Sequence, residues 1–144
     1  FDGHRKCGVS LSPVEAERLG GICPVCGKKL TMGVDHRVEQ LADREEGFVK
    51  EDGKKYESLV PLPEVISACM GYSTASKKVQ GCFEKMLQIL GTEFDILRNV
   101  PAEDIKICAG ERLAEGIENV RTGNVKRIPG YDGEYGKIQL FDEN

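Results

Sequence analysis

The feature that most constrains this chain is a spacing. His4 and Cys7 are followed by Cys23-Pro24-Val25-Cys26, giving the pattern H-x2-C-x15-C-x2-C. Two close pairs of imidazole and thiolate donors at this separation are what a zinc ribbon or finger uses to gather four ligands around one ion. Gly8 and Gly27 directly follow the two pairs and permit the positive φ that lets the backbone fold beneath a metal. Four protein ligands complete a tetrahedral Zn2+, so the expected ion is structural, with no position left for water or substrate. His4 is the least specific of the four, and His36 or the carboxylate of Asp2 is the alternative in its place. A redox dithiol of Cys23 and Cys26 is a competing reading. It calls for a βαβ setting, whereas this pair lies between Gly20-Gly21 and Gly27-Lys28-Lys29.

With 144 residues, 40% hydrophobic and 31% charged, the chain has material for one modest core, or for two small ones if a metal stabilises the first. The expected organisation is a zinc-binding domain at residues 1–46, a linker loop at 47–58 and a helical tail domain at 59–144. The linker follows from Glu-Glu-Gly and Glu-Asp-Gly-Lys-Lys, which offer little to bury. No apolar run reaches transmembrane length and no secretory signal is present. Cys69, Cys82 and Cys108 stand singly in helical patterns, as buried reduced thiols do. A soluble, cytoplasmic protein without membrane contact is the expectation, and Phe1-Asp2-Gly3 reads as entering from something upstream.

The fold class expected is α+β, mostly α: a small zinc-ribbon-like unit, then helices containing a helix-hairpin-helix-like pair, then a C-terminal β-hairpin or loop. Ser12-Pro13-Val14-Glu15 is a capping box with proline at the first helical position, and Val14 with Leu19 gives a short apolar edge. Residues 29–32 form a brief strand. Asp35 then caps a helix with Val38, Leu41 and Ala42 on one side. Pro63 opens a helix through Met70, with Ile66, Cys69 and Met70 inward. Ser73 or Thr74 caps the next, in which Val79, Cys82, Phe83, Met86 and Leu90 recur at helical spacing until Gly91. Thr92 starts a short helix with Phe94, Ile96 and Leu97 inward. Residues 101–109 and 111–122 form two helices joined at Gly110, with Ile105, Cys108, Leu113, Ile117 and Val120 as their seam.

The formal net charge of −4 gives no overall attraction to nucleic acid, so any such contact depends on local patches. Arg5, Lys6, Lys28 and Lys29 flank the proposed ligands and form one such patch, with His36 and Arg37 following. The turn at Gly110, at the positive end of the second helix, can meet a phosphate, although it lacks the two-glycine hairpin of helix-hairpin-helix units. Near the end, Tyr131 and Tyr135 can stack on bases while Arg121, Lys126, Arg127 and Lys137 meet phosphates. The plain alternative is a tyrosine-anchored turn packed against the helices.

Several segments taken together carry a resemblance. These are His4-Arg5-Lys6-Cys7-Gly8-Val9, Cys23-Pro24-Val25-Cys26-Gly27-Lys28, Thr31-Met32-Gly33-Val34, residues 36–44, Leu59-Val60-Pro61-Leu62-Pro63-Glu64 and residues 129–136. They resemble the C-terminal part of the endonuclease Q family, whose members carry an N-terminal PHP nuclease domain. The resemblance implies a zinc-binding domain and helical tail that work beside this catalytic domain, which nicks DNA 5′ of deaminated bases such as uracil and hypoxanthine. It places the zinc ligands at His4, Cys7, Cys23 and Cys26. The histidine- and aspartate-rich cluster of a PHP site is missing, so the expectation is a non-catalytic portion that binds damaged DNA. The rival readings are a zinc-stabilised protein-interaction module of a repair or helicase complex, and the Cys-x2-Cys redox protein.

Overall fold

The computed structural model describes residues 1–141, which separate into two units. The first comprises residues 1–55 together with 127–137; the second comprises residues 56–126 and the stretch from Ile138 onward. The architecture is α+β and mostly α, with seven α-helices and two two-stranded antiparallel sheets among the described residues.

In the first unit, β1 (Asp2–His4) and β2 (Val9–Leu11) pair antiparallel, with His4 opposite Val9. A single 3-10 turn, Arg5–Cys7, joins them and closes on Gly8 at φ 63°. Ser12 opens α1 (Pro13–Arg18) with the expected capping box: its hydroxyl accepts from Glu15 N, and the Glu15 carboxylate accepts from Ser12 N. Val14 and Leu19 stay exposed, and Ala16 is the residue α1 buries. Thr31 exchanges backbone hydrogen bonds with Gly3, and Ile22 bridges to Lys29, so residues 29–31 supply isolated bridges and not a full strand. The apolar core of this unit is Val9, Ala16, Cys23 and Leu30.

Helix α2 (Val34–Leu41) departs from its pattern. Its N-cap is Gly33 and not Asp35, which falls in the first turn. The capping function comes from outside, since Asp2, fully buried, accepts from Gly33 N at 2.6 Å. Val38 and Leu41 are exposed, and the buried residue of the helix is His36. Residues 42–61 form no helix or strand.

The second unit is helical: α3 (Leu62–Met70), α4 (Lys77–Leu90), α5 (Glu93–Arg98), α6 (Ala102–Ala109) and α7 (Glu111–Thr122). Leu62, Val65, Ile66, Val79, Met86, Ile96, Ile105 and Ile117 are fully buried in its core. Ser76, the last hydroxyl before the helix, caps α4 in place of Ser73 or Thr74, because the Ser73 hydroxyl is spent on Ala75 N inside the turn. Met70 and Phe94 face outward; the Phe94 ring lies 5.7 Å from the Arg98 guanidinium one turn on. Helices α3 and α7 approach closely at Gly116, where an added Cβ would lie 2.6 Å from Cys69 Sγ. Helix ends are closed by long side chains. Lys85 donates to the Cys108 carbonyl at 2.7 Å, and Arg121 donates to the carbonyls of Ile96, Leu97 and Val100.

The second sheet, β3 (Lys126–Ile128) with β4 (Lys137–Gln139), carries the chain out of the helical unit and back. Between the strands, Tyr131 and Glu134 exchange backbone hydrogen bonds around Asp132 and Gly133, at φ 43° and 79°. Two consecutive positive φ values mark the tight turn that an Asp-Gly pair favours. No helix among the described residues is long and apolar enough to cross a membrane.

Candidate metal centre and nucleic-acid interface

The turn at residues 5–8 and a second one at residues 23–28 bring the four predicted ligands to one point. One ligand atom from each of His4, Cys7, Cys23 and Cys26 lies within 4.8 Å of all the others, and His4 Nδ1 is 3.2 Å from Cys26 Sγ. Donors bound tetrahedrally at ordinary nitrogen and sulfur distances stand about 3.3–3.8 Å apart, so the set is nearly closed around an ion's position. The second turn is built like the first: Gly27, at φ 70°, donates to the Cys23 carbonyl, and Cys23 N donates to the Lys28 carbonyl.

The thiols of the cluster differ in how readily they ionise. Burial pushes the Cys7 thiol up to about 11, and the neighbouring Cys26 and Cys23 add to this. Burial also works against ionising Cys23, but hydrogen bonds from the Cys26 backbone, His4 and the Val25 backbone outweigh it and bring that thiol down to about 6. Three sulfurs this close cannot all become thiolates unless positive charge sits among them. Three thiolates and an imidazole suit a borderline-soft divalent ion.

The two alternatives for the fourth ligand pair with each other. His36 Nδ1 is 2.7 Å from Asp2 Oδ2, and because a carboxylate only accepts, Nδ1 carries the proton. His36 is thereby turned inward, the packed outcome that is the commoner one for a histidine in a first helical turn, because Asp2 needs two donors when buried.

The Asp132-Gly133 turn supports the first knuckle. Asp132 accepts from Arg5 N at 2.6 Å. The Thr31 hydroxyl, then this backbone N–H, hold its carboxyl below the usual range. The Phe1 nitrogen donates to the Gly130 carbonyl at 2.9 Å. Tyr131 lies against Gly3, where a Cβ would come within 2.4 Å of the ring. Tyr131 is therefore an anchor, whereas Tyr135 is 94% exposed. The Asp-Gly dipeptide was the available signal for this turn.

The basic candidates divide between the units. Arg5, Lys6, Lys28 and Lys29 are all exposed on the two ligand-bearing turns, and Arg127 and Lys137 are exposed on the segment bound to the same unit. Arg5 has Glu134 3.9 Å away. Arg37, on α2, reaches Gln40. In the helical unit, Lys126 is exposed, but Arg121 is tied to three carbonyls and is withdrawn from solvent. Gly110, at φ 97°, is exposed between α6 and α7, yet Glu111 begins α7 and pairs with Lys106. By contrast, α4 begins with Lys77 and Lys78 and has no acidic residue in its first turn. The Lys-Lys following a capping serine was the signal for this pair.

Comparison with known proteins shows what this arrangement resembles. A family model described as the MJ0043 C-terminal domain matches residues 61–124. The uncharacterized protein MJ0043 of Methanocaldococcus jannaschii is 33% identical over 137 residues, covering 94% of this chain and 17% of that protein. The uncharacterized protein YqxK of Bacillus subtilis is 30% identical over 118 residues, 81% of this chain and 27% of that one. The crystal structure of the lesion-specific endonuclease PfuEndoQ from Pyrococcus furiosus superposes with a TM-score of 0.83 at 30% identity, over 99% of this chain. Along almost its whole length the chain is similar to endonuclease Q. A second crystal structure, of endonuclease Q in complex with a 27-mer duplex substrate with an abasic lesion at the active site, gives a TM-score of 0.81 at 29% identity. In both endonuclease Q structures the match takes up 35% of the solved chain, so this sequence corresponds to a C-terminal part of such a protein.

Proposed function

We propose that this chain is the non-catalytic, DNA-binding and damage-recognition part of an endonuclease Q that nicks DNA 5′ of deaminated bases such as uracil and hypoxanthine. One Zn2+ is held by His4, Cys7, Cys23 and Cys26 and has a structural role. The observation that carries this reading is the four-donor cluster, with Arg5, Lys6, Lys28 and Lys29 exposed on its two turns, in a chain whose relative was solved on a DNA duplex. Closing four protein ligands on zinc leaves no site for a reacting water. Both histidines of the sequence are engaged elsewhere, His4 in the cluster and His36 with Asp2. Chemistry therefore falls to the portion supplied by a PHP domain. Joining His4 and Cys7 to Cys23 and Cys26 also favours a metal site over a redox dithiol.

Within this reading the ion shapes the knuckles, and the knuckles present cations to phosphates. Tyr135, exposed two residues before Lys137, is the stacking residue, while Tyr131 serves as the anchor against Gly3. The domain assignment that goes with the proposal is zinc-binding residues 1–46, a linker at 47–58 and a helical tail at 59–144, from which residues 127–137 depart to fold with the first unit.

The test is a titration of this chain and of the full-length gene product against duplexes with and without uracil or hypoxanthine, at several salt concentrations. Affinity is expected to fall steeply with salt, with a log-log slope of roughly 0.9 per phosphate neutralised. Lys28→Ala with Lys29→Ala is expected to flatten that slope. Tyr135→Ala is expected to weaken binding by about 1–3 kcal/mol with the fold unchanged. Binding that ignores salt, or a full-length protein that does not distinguish deaminated bases, refutes the proposal.

A further inference from the structure

The apolar stripe of α2 points out of its own unit. Val34, Val38 and Leu41 recur at i, i+4 and i+7 along one helix face, and they are 82%, 59% and 64% exposed. The opposite face carries His36. This orientation is locked, because Asp2 holds Gly33 N and His36 Nδ1 at once from inside the unit. Rolling the stripe inward would strip a buried carboxylate of both donors, which is far more costly than leaving aliphatic groups wet.

We propose that this stripe is the seat of the catalytic portion that longer members of the family carry, an intramolecular docking face and not a DNA contact. The proposal rests on the reading of this chain as part of such an enzyme. Three observations select that occupant. The matched region is 35% of each solved endonuclease Q, so about two-thirds of such a polypeptide lies elsewhere and needs a surface to pack on. Phe1 sits against the start of α2: a Cβ on Gly33 would lie 2.2 Å from the Phe1 carbonyl oxygen, and Phe1 and Val34 line one depression of about 350 Å³. The Phe1 nitrogen, hydrogen-bonded to the Gly130 carbonyl, opens on the same depression, so the polypeptide that longer members carry ahead of this position starts next to the first residue of the stripe. Finally, the stripe is uncharged, as the core of a protein interface is and a phosphate-binding surface is not.

Amide hydrogen exchange at residues 34–41 tests this, comparing the full-length gene product with the 144-residue chain. At least tenfold slower exchange is expected in the full-length protein. Val38→Glu is expected to abolish that difference and Val38→Ile to keep it. Equal exchange in the two wild-type proteins overturns the proposal, as does a gene product that carries no further portion. Concentration-dependent dimerisation of the 144-residue chain that Val38→Glu abolishes overturns it in favour of a second copy. Loss of DNA affinity in the Val38→Glu chain overturns it in favour of a DNA contact. Salt-dependent DNA binding, measured in parallel, separates the two readings: if it persists while α2 is unprotected, docking fails and the proposed function stands.

Discussion

The two units solve the same problem by different means. The helical unit buries a continuous apolar cluster of sixteen residues, whereas the first unit, of similar length, buries a cluster of four. What the first unit lacks in apolar burial it replaces with polar ties, the buried Asp2 bridging Gly33 and His36 and the Asp132 turn clasping Arg5 N, beside a four-donor cluster that could hold a metal ion. Small domains reach stability through metals or other cross-links when their surface exceeds what a core can offset. A unit held this way keeps its surface free for side chains that serve a partner, and most of its apolar residues, such as Val25, Val34 and Val38, are left outside.

The largest expected effect separates the units outright. Chelation, or Cys23→Ala, is expected to unfold the first unit, since structural zinc sites contribute on the order of 10–16 kcal/mol of apparent binding energy, more than most small domains have to spare. The five helices of the second unit should persist in the far-ultraviolet circular dichroism. Tertiary NMR signals from residues 1–55 that survive metal removal would show that the comparison is misdrawn.

The converse experiment acts on the other core. Ile117, fully buried on α7, is expected to cost about 2–5 kcal/mol when cut to alanine, read as a lower urea midpoint for the helical unit. Metal stoichiometry should remain as in the unaltered chain. Loss of the metal in that variant would mean that the units are coupled.

The smallest expected effect is an acid one. Asp95, in the first turn of α5, accepts from the Thr92 hydroxyl and from Asn99 at the far end of that helix, and these bonds, Thr92 first, hold its carboxyl below the ordinary value. A depressed folded-state pKa contributes stability that is complete above the unfolded value, about 3.9, and is lost as pH falls through the lower folded value. Asp95→Asn is expected to remove that part of the acid transition below about pH 4 and to leave neutral stability changed only by the weaker cap. An unchanged acid limb in this variant would assign acid sensitivity to other carboxylates.

The contrast also explains which elements were legible beforehand. The Ser12 and Thr92 caps, the Gly71 and Gly123 terminators and the α6–Gly110–α7 hairpin follow from local chemistry, and they stand where the residues place them. In the helical unit the periodicity of Val79, Met86, Ile105, Leu113 and Ile117 coincides with burial, because apolar packing is what shapes that unit. The same reading fails on α2: Val38 and Leu41 suggested an inward face, but the inward residue is His36. Periodicity reports burial only where hydrophobic contact dominates. Here a buried carboxylate thirty-four residues from His36 chose the helix's rotation. Arg121 and Tyr131 illustrate the same limit, since an arginine serves carbonyls and a tyrosine serves a glycine backbone as readily as either serves a ligand.

By itself, then, the sequence determined the ligand spacing, most of the caps and breaks, the α+β character and the likeness to endonuclease Q, all of which depend on neighbours a few residues apart or on motifs that survive as strings. Only the tertiary structure decided that residues 127–137 fold with residues 1–55, that Asp2 and His36 pair, which tyrosine is anchored and which is free, and which face of α2 meets water. These are choices among partners distant along the chain. Several partners satisfy a buried carboxylate, guanidinium or aromatic ring about equally well, and the selection is made by which backbone groups the fold brings within reach.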